Sequence, residues 1–295
     1  MKGIRPTAKL GRTKTGICGV CGEDGPLTWT HVPPHCAGNV GAARPMVLAP
    51  GRDSGTSVVT FGHEKEGGAA GYFLCERCNN DAGTWYDPAY GDLWHHLARR
   101  LLVEEHMPPQ GGPYPLEVNG VDPGAIVRCV LSGMMALNPL LRAQFPDLQP
   151  AVEKRRPIAP PEGLHLLLAL NPDRQLRVAG GGAQRQEIRS GQLIRVVYVY
   201  AEFAWCPLYL VLTDHSGRDY WSAAQDILPW MRDRPGATRT VDLLVPVLGH
   251  DQLHTHEIHN GANRAIAVGP TAEPPFGQVD ARRRRSQTVV KLKRC

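Results

Sequence analysis

The residues most able to do chemistry lie in three short stretches: Cys18-Gly19-Val20-Cys21, Thr28-Trp29-Thr30-His31-Val32-Pro33-Pro34, and Cys75-Glu76-Arg77-Cys78-Asn79-Asn80. Two Cys-x2-Cys pairs bring four thiolates together, and a tetrahedral zinc held by all four is the usual outcome. A shell completed by Cys18, Cys21, Cys75 and Cys78 leaves no open position, so such a zinc is structural. The competing reading, four ordinary buried thiols, requires both spacings to arise by chance. The 53 residues between Cys21 and Cys75 exceed the gap of a simple zinc ribbon, so something must be built inside the loop that the metal closes. That insert holds His31. Taken alone, His31 reads as a hydrogen-bonded structural histidine; its position between the two pairs and before Pro33-Pro34 favours a general base instead. Asn79 suits a helix N-cap or an oxygen ligand for a metal. The two roles are compatible, and Asn80 is a substitute for either.

Two knuckles flanking Thr-His-Val-Pro-Pro, with Asn directly after the last cysteine, resemble the HNH endonucleases, in the zinc-stapled ββα-metal subclass that includes phage resolvases. The resemblance covers roughly residues 14–95, under a third of the chain. It implies that His31 activates water as the general base, that Asn79 is a ligand of a catalytic Mg2+ or Mn2+, and that DNA, branched or phage-derived, is cut to a 5′-phosphate and a 3′-hydroxyl. Phosphodiester hydrolysis needs such a base, and a hard cation to stabilise charge on the scissile phosphate and its leaving oxygen. The chain departs from the family where a carboxylate usually precedes the base, because that position is Thr30. A hydroxyl is a much weaker ligand for a hard dication. Asp81 and Asp87, which follow Asn79 on the expected metal-binding helix and its continuation, are the nearest replacements. Without one, the alternative is a non-enzymatic, zinc-stabilised nucleic-acid-binding protein that has lost the catalytic metal.

Positioning these residues requires a small α+β unit. The first knuckle is expected in a β-hairpin. Residues 27–32 are expected as a strand delivering His31 at its end, stopped by Pro33-Pro34. A long glycine-rich loop over residues 35–71 follows, with one short strand at 57–61; His35, a minor candidate, and Cys36 and His63 lie in it. Residues 72–74 make the second strand, and a helix runs from Asn79 until Pro88. Leu93, Leu97, Leu101 and Leu102 recur at helical spacing over residues 92–106.

The Pro- and Gly-rich stretch 107–124 reads as a domain boundary, and residues 122–141 as a helix with Ile126, Val130, Met134 and Leu137 on one stripe. Residues 146–163 look like a second linker. Beyond them, strand-like segments at 164–170, 175–179, 193–203, 208–213, 241–248 and 265–268 predict a mainly antiparallel β half, with a short helix at 225–232. The expected organisation is a basic arm (1–15), the zinc-bound ββα-metal domain (16–106), a linker and helical connector (107–160), a mainly β domain of unknown role (161–280) and a basic tail (281–295). The β domain could also serve as a sensor or partner-binding module. Gly180-Gly181-Gly182 lacks a following Gly-Lys-Ser/Thr and reads as a turn rather than a phosphate loop. His250, His254, His256 and His259 cluster without cysteine support.

The length of 295 residues and a 42% hydrophobic fraction suit ordinary folded domains. Of a net charge of +5, the first fifteen residues hold five positive charges and the last fifteen hold seven, with no acid in either, which leaves the body at −7. A polyanion would therefore meet the two ends: Lys2, Arg5, Lys9, Arg12 and Lys14, and Arg282, Arg283, Arg284, Arg285, Lys291, Lys293 and Arg294. Solvated termini are the simpler reading of both. Eight cysteines in this arrangement do not form a disulfide framework. With no signal peptide and no membrane span in the sequence, a reducing, cytoplasmic setting is expected. Oligomeric state is not legible.

Overall fold

A computed structural model of the chain describes residues 14–40, 43, 46–50, 56–60, 67–104, 107–172, 176–189, 192–214, 224–249 and 264–269. Strands β1 (Thr15–Ile17) and β2 (Asp24–Pro26) pair antiparallel and hold the first Cys-x2-Cys pair in the turn between them, as its glycines suggested. Strand β3 (Thr28–His31) ends where Pro33 and Pro34 remove ladder donors, and a 3-10 turn over His35–Ala37 follows. The long loop contains two strands rather than one, β4 (Met46–Pro50) and β5 (Thr56–Thr60), paired with each other. Strand β6 (Ala70–Leu74) then returns antiparallel to β3, with His31 opposite Ala70 and Thr28 opposite Leu74.

Helix α1 spans Glu76–Trp85, starting three residues before the expected Asn79. The second knuckle causes the difference. Cys75 is the N-cap and Cys78 sits in the first turn, so an i, i+3 spacing turns both thiols to one side. Asn79 is consequently inside the helix, its N–H bonded to the Cys75 carbonyl at 3.0 Å, and is not the cap. Pro88 ends the run as expected, but it does so by opening a new helix from its first turn, α2 (Asp87–Ala98), which continues into a π-helical turn over Arg99–Glu104.

The stretch read as a boundary contains a strand, β7 (Gly111–Val121). Pro113 and Pro115 disguised it. Proline cannot donate to a ladder and is tolerated only at an edge, which is where β7 lies. Leu116 and Val118 face the interior while Glu117 between them is exposed. Helix α3 (Pro123–Leu137) begins at Asp122, whose side chain accepts from the Ala125 N–H at 2.9 Å, with Pro123 preset for the first turn. All but one of its fifteen residues are buried, so the predicted stripe widens to nearly the whole circumference. Short helices α4 (Leu140–Gln144) and α5 (Leu148–Glu153) lie in the second presumed linker and before it. Arg128 of α3, fully buried, donates to the carbonyls of Gly124, Ala151, Arg156, Met231 and Asp233, so the chain after α5 is tied to the core.

The remaining strands are β8 (His165–Leu170), β9 (Leu176–Arg189), β10 (Gln192–Trp205), β11 (Leu208–Thr213), β12 (Gln225–Asp226), β13 (Arg239–Val247) and β14 (Arg264–Gly269). The helix expected at 225–232 is β12 followed by a 3-10 turn over Leu228–Arg232. With β7 they form an eight-stranded sheet in the order β14-β9-β10-β11-β8-β13-β7, with β12 paired to β8. The pairing is antiparallel except for one parallel bridge, Val247 to Leu170. Gly180-Gly181-Gly182 is no turn: β9 runs straight through it, opposite Ala201, Tyr200 and Val199. A Cβ on Gly180 would stand 3.0 Å from the Leu137 carbonyl oxygen, so the glycine lets the end of α3 press on the strand.

The architecture is mixed α+β. One buried apolar cluster runs from Cys18, Phe73 and Leu74 through α2 and α3 to Phe203 and Val245. No described helix is long and apolar enough to cross a membrane.

Candidate metal centre and the histidine beside it

The four knuckle cysteines converge as their spacing predicts. Their sulfurs all lie within 4.8 Å of one another, and Cys21 Sγ is 3.8 Å from Cys75 Sγ. A tetrahedron of thiolates about 2.3 Å from a central ion places its sulfurs about 3.8 Å apart, so this donor set fits a metal ion. Two elements supply the two halves: the β1–β2 turn gives Cys18 and Cys21, and the start of α1 gives Cys75 and Cys78. The Gly19 N–H donates to the Phe73 carbonyl at 3.0 Å, and Arg142 Nη1 donates to the Cys18 carbonyl at 2.8 Å, fixing the first half to β6 and to α4. Cys18 and Cys78 are buried and the other two half-buried. Crowded thiols cannot all ionise by themselves. Hydrogen bonding from Cys78 pulls Cys18 far below the ordinary thiol range, and the same bond, with burial, pushes Cys78 far above it. A dication at the centre removes this conflict by stabilising all four thiolates. Arg77, its charge reinforced chiefly by a hydrogen bond with Cys21, adds a cation at the rim.

His31 stands at the end of β3, half-buried. Its Nε2 lies 2.9 Å from the Gly67 carbonyl oxygen. A carbonyl only accepts, so a neutral ring there carries its proton on Nε2 and presents Nδ1 as a bare lone pair. Nδ1 has no hydrogen-bond partner among the described residues. Burial lowers the pKa of His31 below its ordinary value, with the His35 ring, 5.3 Å away between centroids, adding to the effect, which keeps the imidazole neutral near pH 7.

The residue that holds this corner was missed in the sequence. Asn39, fully buried, donates from Nδ2 to the carbonyls of Pro33 (2.5 Å) and Ala69 (3.0 Å) and accepts from the Ala69 N–H at 2.7 Å. It thereby ties the exit of β3 to the segment whose Gly67 carbonyl orients His31. Gly68 is part of the same fit: its φ is +87°, and a Cβ there would collide with Asn39. An asparagine eight residues after a histidine in a loop carries no periodic signal, so only the folded chain reveals it.

The proposed hard-cation ligands do not gather as a group. The four cysteines are the only set of three or more His, Cys, Asp or Glu side chains able to hold an ion among the described residues. Asn79 is half-buried, and its side chain makes no hydrogen bond among them. Asp81 is exposed on α1. Asp87 turns inward, where its Oδ1 accepts from the Cys129 thiol of α3 at 3.3 Å and burial pushes its pKa up to about 6. Thr30 is buried, 7% exposed, with its hydroxyl donating to the Thr28 carbonyl at 3.3 Å. The basic residues Arg282, Arg283, Arg284, Arg285, Lys291, Lys293 and Arg294 lie outside the described residues, as do His63 and the 250–259 histidines. Comparison of the chain with models of known families, with curated proteins and with solved structures returns no match.

Proposed function

We propose that the chain is a metal-dependent endonuclease of the HNH type, acting on DNA, with a structural zinc at Cys18, Cys21, Cys75 and Cys78. The observation that carries the reading is the His31 ring. Its Nε2–H is committed to the Gly67 carbonyl, which leaves Nδ1 to take a proton from water at the end of a strand packed beside the four-thiolate centre. Four sulfurs at tetrahedral spacing suit Zn2+, whose preferred shell is of this kind. A hard Mg2+ or Mn2+ would stabilise the charge on the scissile phosphate and leaving oxygen. Asn79, half-buried and without a side-chain hydrogen bond among the described residues, is the side chain we assign as its ligand. With Thr30 and Asp87 both turned into the protein, that cation would rest on few protein oxygens, so weak binding and a preference for Mn2+ are expected.

The same two side chains favour a second reading, a zinc-stabilised nucleic-acid-binding protein without catalysis. A cleavage assay on supercoiled and branched DNA with added Mg2+ or Mn2+ separates them. The nuclease reading expects cutting that needs the added cation and disappears in His31→Ala while zinc content is unchanged. No cutting by folded, zinc-loaded protein under any of these conditions leaves the binding reading.

A further inference from the structure

Between the end of β3 and the corner held by Asn39 stands a second imidazole that the proposed chemistry has not used. Pro33 and Pro34 end the strand, and the chain turns at once through His35–Ala37. Buried groups from elsewhere in the fold hold the backbone of this turn. The Pro34 carbonyl accepts from the Ala37 N–H at 3.0 Å, and the Ala37 carbonyl accepts from the Trp205 indole N–H at 2.8 Å. Gly38 closes the turn at φ +75°, where a Cβ would collide with the Trp94 ring. On this fixed turn the His35 side chain is exposed, and its ring makes no hydrogen bond among the described residues. It lies against the His31 ring, with centroids 5.3 Å apart and planes at 75°.

A packing role explains this pair poorly. A charge on His35 opposes a charge on His31, so the rings repel when both are protonated, and an exposed ring buries little apolar area to offset that. An anion in front of the pair reverses the sign, because it attracts both. The spacing suits a phosphate group. A general base acts on a water about 3 Å away, and that water attacks from about 3–3.5 Å. A donor to a phosphate oxygen stands about 2.8 Å from that oxygen. Rings 5.3 Å apart therefore reach one phosphate together, His31 through the water and His35 directly. An imidazole carries at least one N–H whether neutral or protonated, so His35 donates in either state.

We infer that His35 is a second substrate-contacting residue of this site, donating a ring N–H to a non-bridging oxygen of the phosphodiester that the water on His31 attacks. The inference rests on the nuclease reading and deepens it. In the step, His31 Nδ1 takes the water proton, the water oxygen bonds to phosphorus, and the 3′-oxygen leaves and takes a proton from solvent. His35 keeps its own proton and stabilises the charge that develops on the non-bridging oxygen. With Thr30 and Asp87 turned inward, this donor carries part of the stabilisation that a fuller set of cation ligands would supply.

The test has two arms, both on the full zinc-loaded chain. The first is NMR of the histidine rings without added Mg2+ or Mn2+, with His31→Ala and His35→Ala identifying the two signals. A short DNA duplex should shift both, and inorganic phosphate should shift the same two at higher concentration. The second is single-turnover cleavage with saturating Mn2+. His35→Ala should lower the rate by at least about tenfold, less than the roughly hundredfold or more of a sheltered oxyanion donor because water replaces part of an exposed one. His35→Gln, which keeps an amide donor, should recover most of the rate, whereas a residue that only shaped the turn would show no such rescue. Retained zinc and an unchanged unfolding midpoint identify the loss as one of contact. A smaller loss in His35→Ala, a His35→Gln variant as slow as His35→Ala, or a duplex that leaves the His35 signal in place overturns the inference. The nuclease reading fails separately: shifts at both rings in a protein that cleaves nothing uphold the phosphate site alone, and cleavage that needs His31 but is indifferent to His35 upholds the nuclease alone.

Discussion

Asn39→Ala isolates the device that orients His31. The substitution removes two donated bonds and one accepted bond, and it leaves the Ala69 N–H, in a residue 2% exposed, without its partner. At about 1 kcal/mol net for each donated bond and about 1–3 kcal/mol for the stranded buried amide, the loss comes to about 3–5 kcal/mol. This is a large share of the roughly 5–15 kcal/mol that holds an ordinary domain folded. Asn39→Asp should cost at least as much, because the Ala69 bond survives but a buried carboxylate then faces the Pro33 and Ala69 carbonyls. Urea unfolding in the presence of zinc measures the total, and amide exchange at Ala69 and Val32 locates it, since the Val32 N–H donates to the Ala69 carbonyl. Exchange should accelerate there before it does in α3. A cost under about 1 kcal/mol, or exchange unchanged at both amides, would refute the reasoning that Asn39 secures this corner.

Cys75→Ala should abolish stoichiometric zinc binding and destabilise the segment from β1 through α1, because the β1–β2 turn and the start of α1 each give two of the four sulfurs; elemental analysis and circular dichroism check it, and a fully zinc-loaded variant would contradict it. Asp87 has a folded pKa raised from 3.8 to about 6, so its carboxyl favours the fold only while protonated, below about pH 4, and opposes it as pH rises through 6. Asp87→Asn should therefore stabilise the protein by about 2–3 kcal/mol near pH 8, with the gain gone by about pH 4, as urea titrations at the two pH values will show. The same variant should leave metal-dependent cleavage intact, whereas loss of cleavage would make Asp87 a ligand after all. Thr30→Asp places a carboxylate at a site 7% exposed, so it should cost about 3 kcal/mol without a cation. Added Mn2+ should recover more stability in that variant than in the natural chain; equal responses in a thermal melt would remove position 30 from the metal site.

What the sequence made legible was local. Paired Cys-x2-Cys spacing predicted a convergence of four sulfurs, and Pro33 and Pro88 marked element ends through backbone chemistry that no tertiary contact alters. Apolar runs between turn signals located β8, β11 and β13, the first two buried on both faces and the third on alternate residues. Features decided by distant neighbours stayed hidden. β7 is a strand because β13 pairs with it despite two prolines, and Gly180 lies within a strand because β10 pairs across it. Asn79 lost its capping role to Cys75, because the helix starts three residues earlier, at Glu76. The inward turn of Asp87 depends on Cys129, 42 residues away, and the clamp at Asn39 on Ala69, 30 residues away. Neither separation has any period to betray it.

The account turns on whether His31 is the base, and the dependence of single-turnover cleavage on pH with saturating Mn2+ tests that most directly. The pKa of His31 is lowered by burial, so the rate should climb with pH on a limb whose midpoint lies below the ordinary histidine value of 6.5, and flatten above it as Nδ1 becomes fully available. In His31→Ala the limb should vanish together with the rate. A profile that keeps the same limb in His31→Ala, or cleavage that survives the substitution undiminished, would contradict the assignment.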